Sequence, residues 1–426
     1  MNKTIILIII FLSTIIKISA TEVDNNGSNT TSTINSEDSI RINVTIEDDS
    51  IITEQKHSEY PFINLAKNYI IYNNSEAIWD TFYNKLSPHQ TQQISILHIG
   101  DSHLQADIAT SRTRKLMQEK FGDAGRGIIS PLKIAKTNEP IDYSFSCANK
   151  YNYSSMMKRP WRTTLKLTGA SFSPLSERFN ISIKSGSKNV PSQPFTTLRL
   201  HIEGDLYIDD VIVNNKSLEC DIDYSIEESQ QDHTDIIFNE PISSVQLSLS
   251  SIGKITIFGA SLLNKNNGVI YNVIGNNGAT YDSYNRMGDM GNDCSIFNPD
   301  LIIVSLGTNE AFGSISDESF YNSIDKFVAD MQEYNPNKPI LLVTPMECLR
   351  KGQINTNCKR LRDVILTYGA EHNIAVYDWY EVAGGHGASK KWVANKLMGR
   401  DGIHNTSKGY TLQGNLFYEI LTNKAK

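Results

Sequence analysis

The sequence has few cysteines, no long apolar run in its body, and no excess of positive charge. Its five cysteines show neither CxxC spacing nor the spacing of a zinc site. No run of about 18 apolar residues follows residue 20, which excludes a polytopic membrane protein. Lys and Arg number 40 against 47 Asp and Glu, so a protein that holds nucleic acid through its phosphates is not expected. In an exported protein a bridge between Cys348 and Cys358 could form, leaving at least one other thiol unpaired.

The first 59 residues divide into an apolar leader and an acidic stretch. Residues 1–20 combine Lys3, a short apolar run and small residues at the end, which predicts a secretory signal peptide. An uncleaved anchor is the alternative. Residues 21–59 contain no Phe, Trp or Tyr and carry a net charge equal to the −7 of the whole chain. This composition predicts a disordered, solvated linker. The signal peptide predicts export to the periplasm or cell envelope, with no stable membrane span after its cleavage.

The remaining residues alternate between two kinds of pattern. Short, nearly continuous apolar runs at 94–99, 269–274, 301–306, 340–344 and 374–378 predict strands buried on both faces. The apolar residues of Asp317 to Tyr334 fall on one helical stripe. Strands alternating with helices predict an α/β fold with a doubly wound, flavodoxin-like parallel sheet, formed by the discontinuous segments 60–137 and 264–426.

Residues 138–263 follow a different pattern. Period-2 alternation, as at Leu198, Leu200 and Ile202, predicts half-buried antiparallel strands and an inserted β-sandwich-like domain.

Four short motifs follow predicted strands or precede the last helix. Gly100-Asp101-Ser102 places a serine on a strand-to-helix turn, and Asp401-Gly402-Ile403-His404 places a carboxylate three residues before a histidine. Gly278 lies in a glycine block, and Asn309 ends Gly307-Thr308-Asn309. Each motif alone is weak, but ligands of parallel sheets bind at the carboxyl ends of the strands, so the set in this order predicts an active site.

With these motifs the sequence resembles the SGNH (GDSL-like) hydrolases. The segments HIGDSHLQAD, SLGTNEAFG, GGHGASKKW and DGIHNTSKGY are similar to the peptidoglycan O-acetylesterase branch, which also carries an insert like a carbohydrate-binding module. His103 and Glu310 depart from the general family pattern in the way this branch does. The resemblance covers residues 60–426 and is weakest in the insert. It implies that the insert holds a polymeric glycan, with Trp161 as a candidate for stacking on sugar. A stabilising or interaction appendage, with Trp161 buried in its core, is the alternative.

The resemblance implies a mechanism and the residues that perform it. Ser102 is the expected nucleophile, His404 the general base and acid, and Asp401 the residue that orients the imidazole. Ser102, Gly278 and Asn309 are the expected oxyanion-hole donors. Asp101, His98 and His103 are expected to support the site without taking part in catalysis.

The resemblance also implies substrate contacts and partners. The segment 384–392 is expected to form a rim loop in which Gly385, Gly387 and Ser389 bind substrate. The expected substrate is O-acetylated peptidoglycan or a related acetylated glycan, cleaved by a monomer without metal or cofactor.

Other functions stay open at this stage. The same triad could serve an O-acetyltransferase or a deacetylase of another polysaccharide, and a catalytically inactive glycan-binding protein could keep the fold. A metallophosphoesterase is suggested by Asp101-x-His103 and by Gly288 to Asn292. The chain lacks the further histidines such a site needs around Asn309 and His386.

Overall fold

The computed structural model describes residues 60–86, 91–224 and 232–423, and the backbone of three short strands before them. These strands belong to a first unit, Met1–Glu59, and pair antiparallel with one another: Ile5–Ile8 (β1), Ser19–Val23 (β2) and Asn29–Ser32 (β3). The other residues of the predicted signal peptide and acidic linker lie outside the described residues, and both predictions stay predictions. In the described part of the chain, no helix is long and apolar enough to cross a membrane.

The second unit, Tyr60–Lys426, contains strands and helices in mixed order. Its strands are Gln93–Gly100 (β4), Gly125–Ile129 (β5), Tyr143–Cys147 (β6), Tyr151–Ser155 (β7), Ala170–Pro174 (β8), Arg178–Ser185 (β9), Phe195–Val213 (β10), Lys216–Ser217 (β11), Asp221–Asp223 (β12), Asp232–Ile242 (β13), Ser244–Leu263 (β14), Gly268–Gly275 (β15), Leu301–Ser305 (β16), Ile340–Val343 (β17), Leu349–Arg350 (β18), Gln353–Ile354 (β19) and Ala375–Tyr377 (β20). Its α-helices are Glu76–Lys85 (α1), Ser102–Gln105 (α2), Ile108–Phe121 (α3), Tyr281–Asn285 (α4), Met290–Ser295 (α5), Asp317–Tyr334 (α6), Asn357–His372 (α7), Trp379–Val382 (α8), Ala388–Ala394 (α9) and Ser407–Thr422 (α10), and Leu65–Lys67 and Glu310–Phe312 form 3₁₀ turns.

Five strands form a parallel sheet in the order β15-β4-β16-β17-β20. Every residue of β15 is buried, and so is every residue of β4 after its first. Such continuous burial is the property that the apolar runs of the sequence predicted. In chain order, β4 is the first strand of this sheet, β15 the second and β16 the third. β15 lies beside β4 on the side away from β16, which is the order of a doubly wound, flavodoxin-like sheet, so the predicted fold class is confirmed.

Helices cover the parallel sheet through apolar stripes. On α6 the buried residues are those of the predicted stripe: Phe320, Ile324, Phe327, Val328 and Met331. The helix begins after Ser316, whose side chain accepts a hydrogen bond from the Ser319 N–H at 3.1 Å. The predicted bounds of this helix are confirmed.

The insert forms a second, antiparallel sheet built around two long strands, β10 and β14. β14 pairs with β10, β9, β8 and β5 along its length. In β9 buried residues alternate with more exposed ones, which is the predicted period-2 pattern. β5 precedes residue 138, yet it joins this sheet through β14. The antiparallel sheet therefore includes one strand from the segment that precedes the insert.

The register of the parallel strands determines where their ends meet. Gly275 of β15 and Ser305 of β16 both lie opposite Gly100 of β4. Because three neighbouring strands end at the same level, the motifs that follow them begin side by side.

Candidate active site

Ser102 follows the strand at the centre of this edge. At Gly100 an added Cβ would lie 2.7 Å from the carbonyl oxygen of Ser305, so glycine is required for the close approach of β4 and β16. Asp101 then caps α2, because its side chain accepts a hydrogen bond from the His103 N–H at 2.9 Å. Ser102 is the first residue of α2 and is half-buried, so its hydroxyl lies at the carboxyl edge of the sheet.

Asp401 and His404 complete a hydrogen-bonded relay with Ser102. The Nε2 atom of His404 lies 2.9 Å from Ser102 Oγ, and its Nδ1 atom lies 2.7 Å from Asp401 Oδ2. The side chains of His404 and Asp401 are 44% and 47% exposed. A histidine held in this way can accept a proton from the serine hydroxyl while the carboxylate fixes its tautomer. The structure thus brings together the three residues predicted for catalysis.

The Asp401 carboxyl is held in its ionised form. Burial raises its pKa, but the hydrogen bonds from the Ile403 N–H, the His404 ring and the His404 N–H outweigh burial and lower the pKa below its ordinary value. The two backbone donors lie 3.0 and 3.1 Å from Asp401 Oδ1. Since Oδ1 is engaged by the backbone, Oδ2 is the oxygen presented to the imidazole.

A small hairpin supports the loop that carries Asp401 and His404. The Leu349 N–H of β18 donates to the Gly402 carbonyl at 2.7 Å. Gly402 has φ +70°, and a Cβ there would lie 2.6 Å from Leu349 Cβ, so a larger residue would separate hairpin and loop. The Gly399 N–H closes the loop on the His404 carbonyl at 2.7 Å.

His103 and His98 are packed residues, as expected from the sequence. The His103 ring lies with its centroid 5.3 Å from that of His404, and its Nδ1 atom is 3.0 Å from the Tyr410 hydroxyl. Burial lowers the pKa of His103, so a neutral ring packs beside the relay. His98 is buried in β4, where burial lowers its pKa to about 3.

Gly278 lies in the turn that follows β15. The Asn276 N–H donates to the Gly100 carbonyl at 3.3 Å, and the Ala279 N–H donates back to the Asn276 carbonyl at 3.0 Å. Gly278 itself has φ +81°, a left-handed conformation that favours glycine. The predicted glycine block is therefore a tight turn directly beside the Ser102 turn.

Asn309 extends between the same two turns. Its Nδ2 atom donates to the Ala279 carbonyl at 2.9 Å and to Asp101 Oδ2 at 3.3 Å. Asp101 is 1% exposed, and burial raises the pKa of its carboxyl. Asn309 thus lies next to both other predicted oxyanion-hole residues, with its amide hydrogens directed at two protein oxygens.

Gln105 fixes the glycine block to α2. Its Oε1 atom accepts from the Asn277 N–H at 2.5 Å, while its Nε2 atom donates to the Asn138 carbonyl at 2.7 Å and to Thr137 Oγ1 at 3.0 Å. Gln105 is 2% exposed. One buried amide therefore connects the nucleophile helix, the glycine block and the start of the insert.

Glu310 is buried beside Asn309. Its Oε1 atom accepts from the Tyr281 N–H at 2.9 Å, and its Oε2 atom is buried without a hydrogen-bond partner in the described part of the chain. Burial raises the pKa of Glu310 to about 7. The carboxyl links the 3₁₀ turn after β16 to α4, which follows the glycine block.

The predicted rim loop, residues 384–392, is a loop only as far as Gly387, because α9 begins at Ala388. The junction of loop and helix is anchored on Glu347. Glu347 is fully buried and accepts from the Gly387 N–H, the Ser389 N–H and the Ser389 hydroxyl at 3.0, 3.0 and 2.7 Å. Gly385 and Gly387 have φ +63° and +83°. The Ser389 hydroxyl is buried against Glu347, and the prediction that these loop residues bind substrate stays a prediction.

Sequence reasoning missed four residues that support the site: Gln105, Leu349, Glu347 and Tyr410. Gln105 follows the Ser102 turn by three residues, and Glu347 follows β17 by four, so position alone could have suggested both. Tyr410 ends the segment DGIHNTSKGY, so that segment could have suggested it. Leu349 acts through a contact between distant segments, for which the sequence carries no pattern.

Among the described residues, no group of three or more His, Cys, Asp or Glu side chains could hold a metal ion. Asp101 and His103 are joined by a hydrogen bond from the His103 N–H, and His386 lies with its Nδ1 atom 3.4 Å from Glu347.

Comparison with known proteins supports the assignment of the fold. Residues 256–412 match the model of the GDSL-like Lipase/Acylhydrolase family. A solved structure described as a peptidoglycan O-acetylesterase in action matches with a TM-score of 0.68 at 19% identity, over 84% of this chain and 99% of that one. A lipase/acylhydrolase from Enterococcus faecalis matches with a TM-score of 0.31 at 22% identity, over 37% of this chain and 78% of that chain. No curated protein sequence matches significantly.

Residues 256–412 are therefore similar to the GDSL-like hydrolases, and the fold is similar to that of the solved peptidoglycan O-acetylesterase. The matched segment includes Gly278, Asn309, Asp401 and His404, whereas Ser102 precedes the insert and joins them through the fold. The geometry of the site and the match to the family model support a hydrolase of the esterase type.

Proposed function

We propose that this protein is a serine esterase that removes O-acetyl groups from a cell-envelope glycan, with O-acetylated peptidoglycan as its substrate. The observation that carries the proposal is the relay from Ser102 Oγ to His404 at 2.9 Å and from His404 to Asp401 at 2.7 Å. The fold similarity to a peptidoglycan O-acetylesterase, which covers 84% of the chain, supports the choice of substrate. An extracellular or envelope location follows from that substrate.

The proposed reaction has two halves. Ser102 Oγ attacks the acetyl carbonyl carbon while His404 Nε2 accepts the hydroxyl proton. The tetrahedral intermediate collapses, the bond to the sugar oxygen breaks, and that oxygen takes the proton from His404. Water then attacks the acetyl-serine with His404 as base, and acetate and free Ser102 are formed.

Three donors would stabilise the negative oxygen of each tetrahedral intermediate. They are the N–H groups of Ser102 and Gly278 and the side-chain amide of Asn309. Because the Asn309 amide is bonded to Ala279 and Asp101 in this structure, an oxyanion would take over one of those bonds. Charge on the oxyanion makes that exchange favourable.

The rim loop would contact the glycan through its backbone. Gly385 and Gly387 carry no side chain, so a sugar could approach their peptide groups closely. Ser389 would act indirectly, since its hydroxyl and N–H hold the loop on Glu347.

Acetate release provides the test. The protein is incubated with O-acetylated peptidoglycan, with acetylated xylan and with an aryl acetate. Ser102→Ala should lower the rate of acetate release from all three by roughly 10⁴-fold or more, because the nucleophile is lost. Ser111→Ala, on the neighbouring helix α3, is the matched control and should retain full activity. Undiminished acetate release by Ser102→Ala would refute the esterase proposal.

Two further measurements separate the alternatives. Transfer of acetyl to an added glycan acceptor, at the expense of free acetate, would identify a transferase using the same acyl-enzyme. Loss of activity on treatment with a chelator would favour metal-dependent chemistry.

A further inference from the structure

A loop of the insert lies against the glycine block of the site. The loop follows β7, and Met157, Lys158, Arg159 and Pro160 are exposed in it. A Cβ placed on Gly278 would have the Met157 methyl carbon as its nearest neighbour, at 3.4 Å. The insert therefore supplies part of the wall beside a predicted oxyanion-hole residue, although more than a hundred residues separate the two in sequence.

This loop is rich in uncompensated positive charge. Lys158, Arg159 and Arg162 are all exposed, and within the described ranges none of them forms an ion pair. Arg286, at the end of α4, adds a fourth cation that is paired with Asp282. Burial and the positive charge of Arg159 lower the pKa of Arg286, so the loop and α4 present like charges to each other.

Arg159 is held in a defined position. Its guanidinium carbon lies 4.7 Å from the centroid of the Trp161 ring, a cation–π arrangement. Trp161 is partly buried and packs against the apolar cluster beneath the parallel sheet. One face of the guanidinium is thus covered by a fixed ring, which leaves its edge N–H groups to bind a carboxylate in the fork geometry that arginine favours.

Arg159 lies close to the glycine block along the loop. Two residues of chain span at most about 7 Å, so the Arg159 backbone lies within about that distance of the backbone of Met157, whose methyl carbon is beside Gly278. The guanidinium that stacks on Trp161 therefore belongs to the part of the loop that borders the site.

We propose that the loop 157–162, through Arg159, binds a carboxylate of the acetylated glycan next to the ester that Ser102 attacks. This inference rests on the proposed function and narrows the substrate class to acid-bearing acetylated glycans. Peptidoglycan carries such carboxylates on its peptide stems, whereas acetylated xylan chains without acidic substituents do not.

The loop can be tested without removing the insert. Because β5 pairs with β14, deleting residues 138–263 would break a shared sheet, so point variants are the better probe. Acetate release is compared on two preparations of the same O-acetylated muropeptide, one with free carboxylates and one with its carboxylates amidated, with an aryl acetate as the reference.

Arg159→Ala should reduce the preference for the free-carboxylate substrate, expressed as a ratio of kcat/KM values, by about two- to fivefold, the effect expected of an exposed ion pair. Arg159→Lys should restore part of the preference, since it keeps the charge and loses the fork. Arg178→Ala, at an exposed arginine that begins β9, is the matched control and should keep the wild-type preference. Raising the salt concentration should weaken the wild-type preference.

Two results would overturn the inference while leaving the esterase proposal intact. One is an equal rate of wild-type protein on free and amidated substrates. The other is an Arg159→Ala variant that loses the same factor on the aryl acetate as on the muropeptide, which would make the loop a structural support. If wild-type protein cleaves none of the three esters, the proposed function fails, and this proposal fails with it.

Discussion

The second unit has two parts, the parallel-sheet part and the insert. Each part contains a serine and a histidine in hydrogen-bond contact, at nearly the same distance. In the parallel-sheet part, His404 Nε2 lies 2.9 Å from Ser102 Oγ; in the insert, His201 Nε2 lies 2.8 Å from Ser261 Oγ. The surroundings of the pairs differ. The His404 side chain is 44% exposed and is bonded to Asp401, whereas His201 is 2% exposed and its Nδ1 atom has no hydrogen-bond partner within the described residues.

The difference shows that the distance between serine and histidine does not by itself make a nucleophile. Burial, aided by the positive charge of Arg199 and by His233, lowers the pKa of His201 far below its ordinary value, so that ring is a poor proton acceptor. His404 has a carboxylate that orients its ring, and its side chain is partly exposed to solvent. The pair in the insert is a packing contact, whereas the pair at the sheet edge has the carboxylate and the exposure that the proposed acyl transfer needs.

The largest expected effect comes from removing the carboxylate that distinguishes the two pairs. Asp401→Asn should lower kcat for an aryl acetate by about 10³- to 10⁴-fold, because the imidazole loses its orientation and the stabilisation of its charged form. Ser261→Ala, which removes the hydroxyl from the pair in the insert, should leave kcat near the wild-type value. A Ser261→Ala variant as impaired as Asp401→Asn, with unchanged melting temperature, would contradict the comparison.

A smaller effect is expected at the oxyanion hole. Asn309→Ala should lower kcat by about 10²- to 10³-fold with little change in KM, since its amide would act on the intermediate rather than on the ground state. The matched control is Asn180→Ala, a half-buried asparagine of the insert whose Oδ1 atom accepts from Ser248 Oγ at 2.9 Å. Loss of activity in Asn180→Ala equal to that in Asn309→Ala would mean that stability, not the oxyanion, accounts for the effect.

Much of the site could be predicted because short-range rules determine it. Apolar runs gave the strands of the parallel sheet, and a parallel sheet aligns its strand ends, as at Gly100, Gly275 and Ser305. The residues that follow these ends are necessarily neighbours. The DxxH spacing likewise places a carboxylate near its own histidine within one turn of loop.

Contacts that depend on long-range packing could not be predicted. The approach of Met157 to Gly278 depends on how the insert folds back on the sheet, and the support of Gly402 by Leu349 depends on a hairpin of four strand residues. The hydrogen bonds that the Asn309 amide donates to Asp101 and Ala279 could not be predicted either, since the sequence shows only that an amide side chain is present.

Two carboxyls with similar pKa values, one in each part of the second unit, allow a last comparison. Replacing either of them should have the smallest effect on catalysis but a measurable effect on stability. Burial raises the pKa of Glu310 to about 7 and, in the insert, that of Glu139 to about 7. A raised pKa means that the folded protein binds the proton more tightly than the unfolded chain. Proton binding therefore stabilises the fold fully below the unfolded pKa of 4.5, and this contribution is lost as pH rises through about 7.

Glu310→Gln should remove this pH dependence, because glutamine can still accept from the Tyr281 N–H but does not ionise. The free energy of unfolding of Glu310→Gln, relative to wild type, should rise by about 3 kcal/mol between about pH 5 and about pH 8, measured by urea denaturation. Glu139→Gln should show the same sign with a smaller change, because water screens its half-buried carboxyl. Of the two residues, only Glu310 adjoins Asn309, so a change in the pH profile of kcat/KM is expected for Glu310→Gln alone. The same change in Glu139→Gln would contradict this expectation and would show that the insert and the site titrate as one unit.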